Sequence, residues 1–213
     1  GEAVTDGTKY VLRTDLLYRL RAPDSGHARG HLGYVWDAAR LTDGRLVTGS
    51  RDGTVGLWSM DDGLVLEQRL PGPGGSIAAL AALEGGGFVG GGRDGRIHSW
   101  RPEGDGFVAG GSAQAHTGAV LRLARAPGGL WSTGADGSVA RWAFGPGGPR
   151  LLARRSLADA GEWLWAMVSD GADGVWVTES ERVVRLDAQL RECGAIGLHA
   201  GVRPRSLARS AHG

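Results

Sequence analysis

Three segments of this chain align without gaps: Leu46–Trp58 reads LVTGSRDGTVGLW, Phe88–Trp100 reads FVGGGRDGRIHSW and Leu130–Trp142 reads LWSTGADGSVARW. Their tryptophans stand 42 residues apart in both intervals. Asp52, Asp94 and Asp136 each lie six residues before the Trp, and each is followed by glycine. A fixed period of this length means one supersecondary unit repeated, whose apolar face is buried only when neighbours stack against it.

Within each segment two apolar runs flank an Asp-Gly pair. That pair favours a type I′ hairpin, because glycine tolerates the positive φ the turn demands. A third run lies upstream, at Tyr34-Val35-Trp36, Ser76-Ile77-Ala78 and Ala119-Val120-Leu121. A fourth lies downstream, at Leu64-Val65-Leu66, Phe107-Val108 and Leu151-Leu152. Four short strands per repeat make the blade of a β-propeller. The glycine content agrees: 39 of 213 residues, against a typical ~7%. These glycines fall after Asp and at the ends of apolar runs, as turn residues do, so the composition is all-β.

Gly30-His31, the Ser50-Arg51-Asp52-Gly53 turn and Trp58 follow the order and spacing GH…S-x-D-G…W, and His116, Asp136 and Trp142 follow it again. In these residues the chain resembles the WD40-repeat family, in a degenerate form. The resemblance implies a propeller of four-stranded antiparallel blades with a buried hydrogen-bond chain in the complete repeat. Asp52 would accept from His31, His31 would pair with Ser50, and Ser50 would meet the indole of Trp58; Asp94, His116 and Asp136 would serve the same structural role. The other repeats depart from the pattern. Pro73 stands in place of the second histidine, and Gly92 and Gly134 replace the serine. In the fourth repeat Leu186 takes the Trp position, and the hairpin carries Glu179-Ser180-Glu181.

The two ends complement each other. Ala3–Thr8 reads as the end of a second strand with its Asp-Gly turn, Leu12 falls at the Trp position, and Leu16 to Leu20 supplies an outer strand. Arg203 to Leu207 has the spacing of an innermost strand and then stops. The expected architecture is one domain over residues 1–213, with five blades at about 1–25 joined to 199–213, then 26–70, 71–111, 112–156 and 157–198. Pairing of the two termini would close the ring and remove free strand edges. The chain lacks an initiator Met and has glycine at both ends, as a segment of a longer protein would.

The bulk numbers narrow the function classes. A net charge of +1 gives no reason to expect nucleic acid or an anionic membrane as partner. Lys9 is the only lysine, and the arginine-rich usage reads as the coding bias of a GC-rich bacterial genome. Cys193 stands alone, so no intrachain disulfide forms, and no apolar run or leader pattern marks a membrane span or secretion. A monomeric cytoplasmic domain is expected. Ser50, His31 and Asp52 have the composition of a hydrolase triad but lack a G-x-S-x-G elbow, so they read as structural. His27, His98, His199 and His212 show no zinc spacing. The glycine runs at 72–75, 85–87 and 90–92 precede no helix that would hold phosphate. No metal or other cofactor is expected.

The candidate contact surface comes from the inner strands. Tyr34, Ser76, Ala119, Trp163 and Arg203 share one repeat position; Trp36, Ala78, Leu121, Trp165 and Arg205 share another, two residues on. Both positions flank the residue packed into the blade and so face the channel or its rim. Arg51 and Arg93 precede the turn aspartates on the same side. Tyr34, Trp36, Arg51, Arg93, Trp163, Trp165, Arg203 and Arg205 therefore form the candidate site, with Trp, Tyr and Arg being the types enriched in binding hot spots. The same side chains would equally plug a narrow channel. The expected function is a non-catalytic scaffold binding a protein or peptide; the alternative is a propeller that binds a small ligand or carbohydrate.

Overall fold

The computed structural model describes residues 30–61, 63–72, 75–145, 147–158, 162–202 and 204–208. They form four antiparallel sheets, each of four strands paired in sequence order. Blade 1 holds β1 (Val35–Arg40), β2 (Leu46–Ser50), β3 (Thr54–Ser59) and β4 (Val65–Pro71). Blade 2 holds β5 (Ile77–Ala82), β6 (Phe88–Gly92), β7 (Arg96–Glu103) and β8 (Gly106–Gln114). Blade 3 holds β9 (Val120–Ala126), β10 (Gly129–Gly134), β11 (Ser138–Gly145) and β12 (Gly148–Ser156). Blade 4 holds β13 (Met167–Ser169), β14 (Val175–Glu179), β15 (Arg182–Leu186) and β16 (Glu192–Gly197). The first strands β1, β5, β9 and β13 touch one another in succession, and the fourth strands lie outermost with mostly exposed side chains.

The apolar residues that alternate along these strands sort into three clusters, each spanning two consecutive blades. Val47, Val55 and Leu57 of blade 1 meet Ile77, Phe88, Trp100 and Phe107 of blade 2. Val89 and Ile97 of blade 2 meet Leu130 and Trp142 of blade 3. Trp131 and Val139 of blade 3 meet Val175, Val184 and Leu186 of blade 4. One rule covers them all: the residue at the Trp position packs on the preceding blade. In blade 2 the Trp100 ring stacks on Phe88 at 4.9 Å. By the same rule Trp58, only 5% exposed, faces the side away from blade 2, where the sequence sets the blade drawn from both termini.

The Asp-Gly turns differ from the expected type I′. Only the glycine takes positive φ, +80° at Gly53, +78° at Gly95 and +72° at Gly137. Its amide donates to the carbonyl three residues back, at Ser50, Gly92 and Gly134. A type I′ turn needs positive φ at two consecutive residues, so each turn is a type I turn closed by a left-handed glycine, with a three-residue loop. The inner strands also carry a feature the repeat does not announce. In β1, β5 and β9 the ladder skips one residue, namely Trp36, Ala78 and Leu121. Such a bulge re-aims the extra side chain.

The closing blade is not reached by the described residues. Arg203 and the strands and turn read between Ala3 and Leu20 lie outside them. Pro204–Ala208, where the sequence places an innermost strand around Arg205, forms no strand. A strand exists only through a partner's ladder, and the expected partner at Ala3–Thr5 is outside the described residues as well. Four blades are therefore described, and the fifth stays a proposal.

Candidate functional site

Buried polar chains brace the Asp-Gly turns. In blade 1 the backbone amides of Leu32 and Thr54 donate to the Asp52 carboxylate, at 2.7 and 2.9 Å, and the Thr54 hydroxyl adds a third bond. His31 Nδ1 donates to Asp52 Oδ2 at 3.1 Å. Its Nε2 then accepts from Thr48 Oγ1 at 2.7 Å, and that hydroxyl in turn accepts the indole N–H of Trp58 at 2.7 Å. The hydroxyl of the chain is thus Thr48 and not Ser50. The register explains this. Leu46 lies opposite Trp58 and Thr48 opposite Gly56, so the indole lying over Gly56 reaches two residues along β2 and no further. Ser50 instead accepts the Asp52 amide in the turn at 3.1 Å. No hydrogen bond joins Ser50 to His31, so the three residues do not make a nucleophile–base pair.

Blade 3 repeats this chain in full, which corrects the reading of Gly134 as a lost serine. The hydroxyl is Ser132, 2.8 Å from His116 Nε2 and 3.0 Å from Trp142 Nε1, while His116 Nδ1 lies 3.0 Å from Asp136. Arg154 adds a bond to Asp136 at 2.6 Å. Blade 2 keeps only the first link of the chain, from another direction, and no hydroxyl joins its histidine to Trp100. Pro73 is outside the described residues, and His98 on β7 donates to Asp94 at 2.9 Å. Its ring sits 6.4 Å and 57° from Trp100, against 6.3 Å and 56° for His31 and Trp58. A Cβ at Gly92 would collide with the Asp94 carboxylate, so the missing serine leaves the space that this arrangement uses. Sequence reasoning gave His98 no role. The usable signal was a histidine four residues after the turn Asp, in the one repeat whose loop histidine is replaced.

Burial alone would raise the aspartates, but the hydrogen bonds outweigh it. Those from Thr54 and Leu32 hold Asp52 at about 2, and those from Ser138 and Thr117 with the His116 contact hold Asp136 at about 2. Burial keeps His116 neutral and pushes it below its ordinary 6.5, more than Asp136 pulls it up. The signs add. The unfolded chain takes a proton on His116 below 6.5 while the fold resists, so stability falls as pH drops through that range. The carboxylate contribution is complete above about 4 and is lost as pH falls towards 2. Urea midpoints followed from pH 8 to pH 3 should fall in two stages, the first starting below 6.5 and the second below about 4. A flat profile between pH 7 and pH 5 would remove His116 from the account.

The described rim residues form two aromatic groups, one on blade 1 and one at blade 4, with Arg93 in the turn of blade 2. On blade 1, Tyr34 and Trp36 stand 6.0 Å apart, and the Arg51 guanidinium lies 6.0 Å from the Tyr34 ring. Trp36 Nε1 donates to Ser76 Oγ across to blade 2 at 3.1 Å, and the amides of Arg51 and Arg93 donate to the carbonyls of Tyr34 and Ser76. Tyr34 is 68% exposed and Trp36 47%. On blade 4, Trp163 and Trp165 stand 4.8 Å apart with Arg205 stacked 4.8 Å from Trp165. Arg203 is outside the described residues. Asp37, which sequence reasoning passed over, ties the two inner strands together: its carboxylate accepts from Leu80 N at 2.8 Å and Ala38 N at 2.9 Å. Burial raises its pKa despite those bonds and the nearby Arg122.

On the opposite face a cleft of about 520 Å³ lies among Arg45, Leu57, Glu67, Gln68 and the Gly104–Gly106 turn. Its polar groups are already engaged: Arg45 donates to Asp43, Glu67 and the Asp105 carbonyl, and Gln68 bonds both polar groups of the Phe107 backbone. His27 and His212 are outside the described residues, and among those described no three His, Cys, Asp or Glu side chains converge to hold a metal.

A family model described as WD domain, G-beta repeat matches residues 25–59, ending at the last residue of β3. Among solved structures, a chain of the crystal structure of Mitotic Checkpoint Complex is 19% identical, with a TM-score of 0.73. The match covers 86% of the present chain and 56% of that one, so the chain spans little more than half the length of its structural neighbour. No curated protein matches the sequence. An identity this low establishes shared fold and nothing finer. One repeat is matched in sequence over residues 25–59 and four blades are built alike around Trp58, Trp100, Trp142 and Leu186, so the chain has the β-propeller fold and resembles WD-repeat proteins.

Proposed function

We propose that the chain is a non-catalytic interaction module that binds a peptide segment of a protein partner through the turn face of blades 1 and 2. WD40 propellers generally serve as protein-interaction scaffolds, and the solved chain that resembles this one belongs to a multi-protein complex. The observation that carries the reading is the Tyr34–Trp36–Arg51 group. Two large aromatic side chains lie open to solvent at 68% and 47%, tied down by the Arg51 amide on the Tyr34 carbonyl and by the Trp36 indole on Ser76. Aromatic rings offer large contact area at low entropy cost, and arginine adds planar, directional hydrogen bonds to carboxylates. Arg93 stands one blade further on, in the equivalent turn position. A peptide bearing an acidic and an aromatic residue fits this surface, and the domain would act as a monomer.

Trp36→Ala should weaken binding of such a peptide by about thirtyfold, the equivalent of ~2 kcal/mol for a hot-spot residue. Because Trp36 is half exposed, melting should move little. Titration calorimetry with the wild-type and variant chains reads both the affinity and its loss. Unchanged affinity in both Tyr34→Ala and Trp36→Ala would move the contact surface off this rim.

A further inference from the structure

Blade 4 presents a second aromatic group whose surroundings are the electrostatic reverse of blade 1. The sequence repeat sets Trp163 at the position of Tyr34 and Trp165 at that of Trp36, just ahead of β13, with the two indoles 4.8 Å apart and tilted by 43°. Where blades 1 and 2 carry Arg51 and Arg93, blade 4 carries Ser180, with φ of +45°. The Ser180 hydroxyl donates to the carboxylate of Glu162, beside Trp163 in the chain. Glu181 completes the same turn. A hydroxyl thus stands where the guanidinium groups were, with the carboxylates of Glu162 and Glu181 next to it.

The chain itself supplies the cation that such a surface attracts. After β16 the backbone folds back over the hairpin: Leu198 N donates to the Glu181 carbonyl at 2.7 Å, and Gly201 N to the Glu181 carboxylate at 2.6 Å. The segment then lays the Arg205 guanidinium over the Trp165 ring, 4.8 Å from its centroid. Trp163 remains 48% exposed beside it.

We propose that Trp163 and Trp165, flanked by Glu162 and Glu181, form a guanidinium-binding site that Arg205 fills in cis and that an arginine side chain of a peptide partner enters when the Arg205 side chain swings off the ring. Indole is the best aromatic partner for a cation, and the planar guanidinium stacks on it as a compact ammonium does not. The neighbouring carboxylates add long-range attraction. A tethered ligand competes at high effective concentration, so the affinity of an outside ligand falls in proportion to the fraction of time the site stands empty. The site belongs to a different blade from the Tyr34–Trp36 surface and takes the opposite charge, so each assignment can fail without the other.

The test uses the full chain and a blocked tetrapeptide, Gly-Gly-Arg-Gly, followed by tryptophan fluorescence, with the citrulline version as an uncharged isostere. Arg205→Ala removes the resident cation without touching the ring pair. It should bind the arginine peptide about tenfold more tightly than wild type, while the citrulline peptide binds weakly to both. Adding Trp163→Ala to Arg205→Ala should abolish the gain; Trp163 is exposed enough that the double variant keeps its fold, which its melting curve checks. Equal affinity of wild type and Arg205→Ala for the arginine peptide would overturn the proposal. So would equal affinity of Arg205→Ala for the arginine and citrulline peptides, or no binding at all.

Discussion

Trp142→Ala is expected to lower the stability of the chain by about 4 kcal/mol, within the ~3–5 kcal/mol that truncating a buried aromatic residue costs. The indole is fully buried between blades 2 and 3, against Val89, Ile97 and Ala140. It also donates to Ser132, whose hydroxyl serves His116. Truncation therefore removes apolar contact, leaves a cavity that a stiff sheet interface cannot collapse, and takes a bond from a buried polar chain. Trp142→Phe separates the parts. The ring fills most of the space, so its loss of ~1–3 kcal/mol would report mainly the missing N–H. Urea denaturation measures both. If the alanine variant loses less than about 1.5 kcal/mol, the interface relaxes freely and the polar chain of blade 3 is not the brace described above.

The architecture was legible in the sequence because its signals are local and periodic. An Asp-Gly pair, a Trp six residues after the Asp and apolar alternation between them locate a hairpin whatever lies elsewhere. What escaped the sequence depends on geometry across strands. Ser50 sits in the family pattern beside Asp52, yet the hydroxyl in reach of Trp58 is Thr48, because β2 and β3 pair Leu46 with Trp58. The same register restores Ser132 to blade 3 and removes Gly134 from the list of losses. The type I turns likewise follow from one positive φ where two were expected, a difference no dipeptide preference reveals.

The rim was legible as a set of positions but not as a set of contacts. Counting along the inner strands put Tyr34, Trp36, Trp163 and Trp165 on equivalent positions, and each pair of rings lies together, Tyr34 by Trp36 and Trp163 by Trp165. Counting could not show that Trp36, Ala78 and Leu121 are bulged, nor that Trp36 reaches Ser76 on the next blade. It also treated all eight residues as one surface. Among the described residues the structure separates a basic aromatic group on blade 1 from an aromatic pair on blade 4, whose hairpin carries Glu181 and whose neighbour in the chain is Glu162. Those glutamates were visible only as a worn hairpin, because their meaning depends on Arg205, which returns from beyond the last strand.

Deleting residues 1–25 and deleting residues 199–213 should have effects that do not add. If the two segments build one blade, either deletion removes it, and the second deletion has nothing left to remove. Each single deletion uncovers the Trp58 face of blade 1 and the far side of blade 4. A blade interface here buries several large side chains at ~1.5–3 kcal/mol each, so a loss of at least ~5 kcal/mol follows. At ~2–4 °C per kcal/mol for a domain of this size, melting should fall by at least ~10 °C. The uncovered strands and apolar face should also make both shortened chains self-associate. The double deletion should melt where the single deletions melt. Two segments acting independently would instead give a double deletion whose loss is the sum of the two. If one deletion lowers melting and the other leaves it unchanged, the last blade is completed by a single terminus, and the five-blade ring gives way to an array closed by something outside these residues.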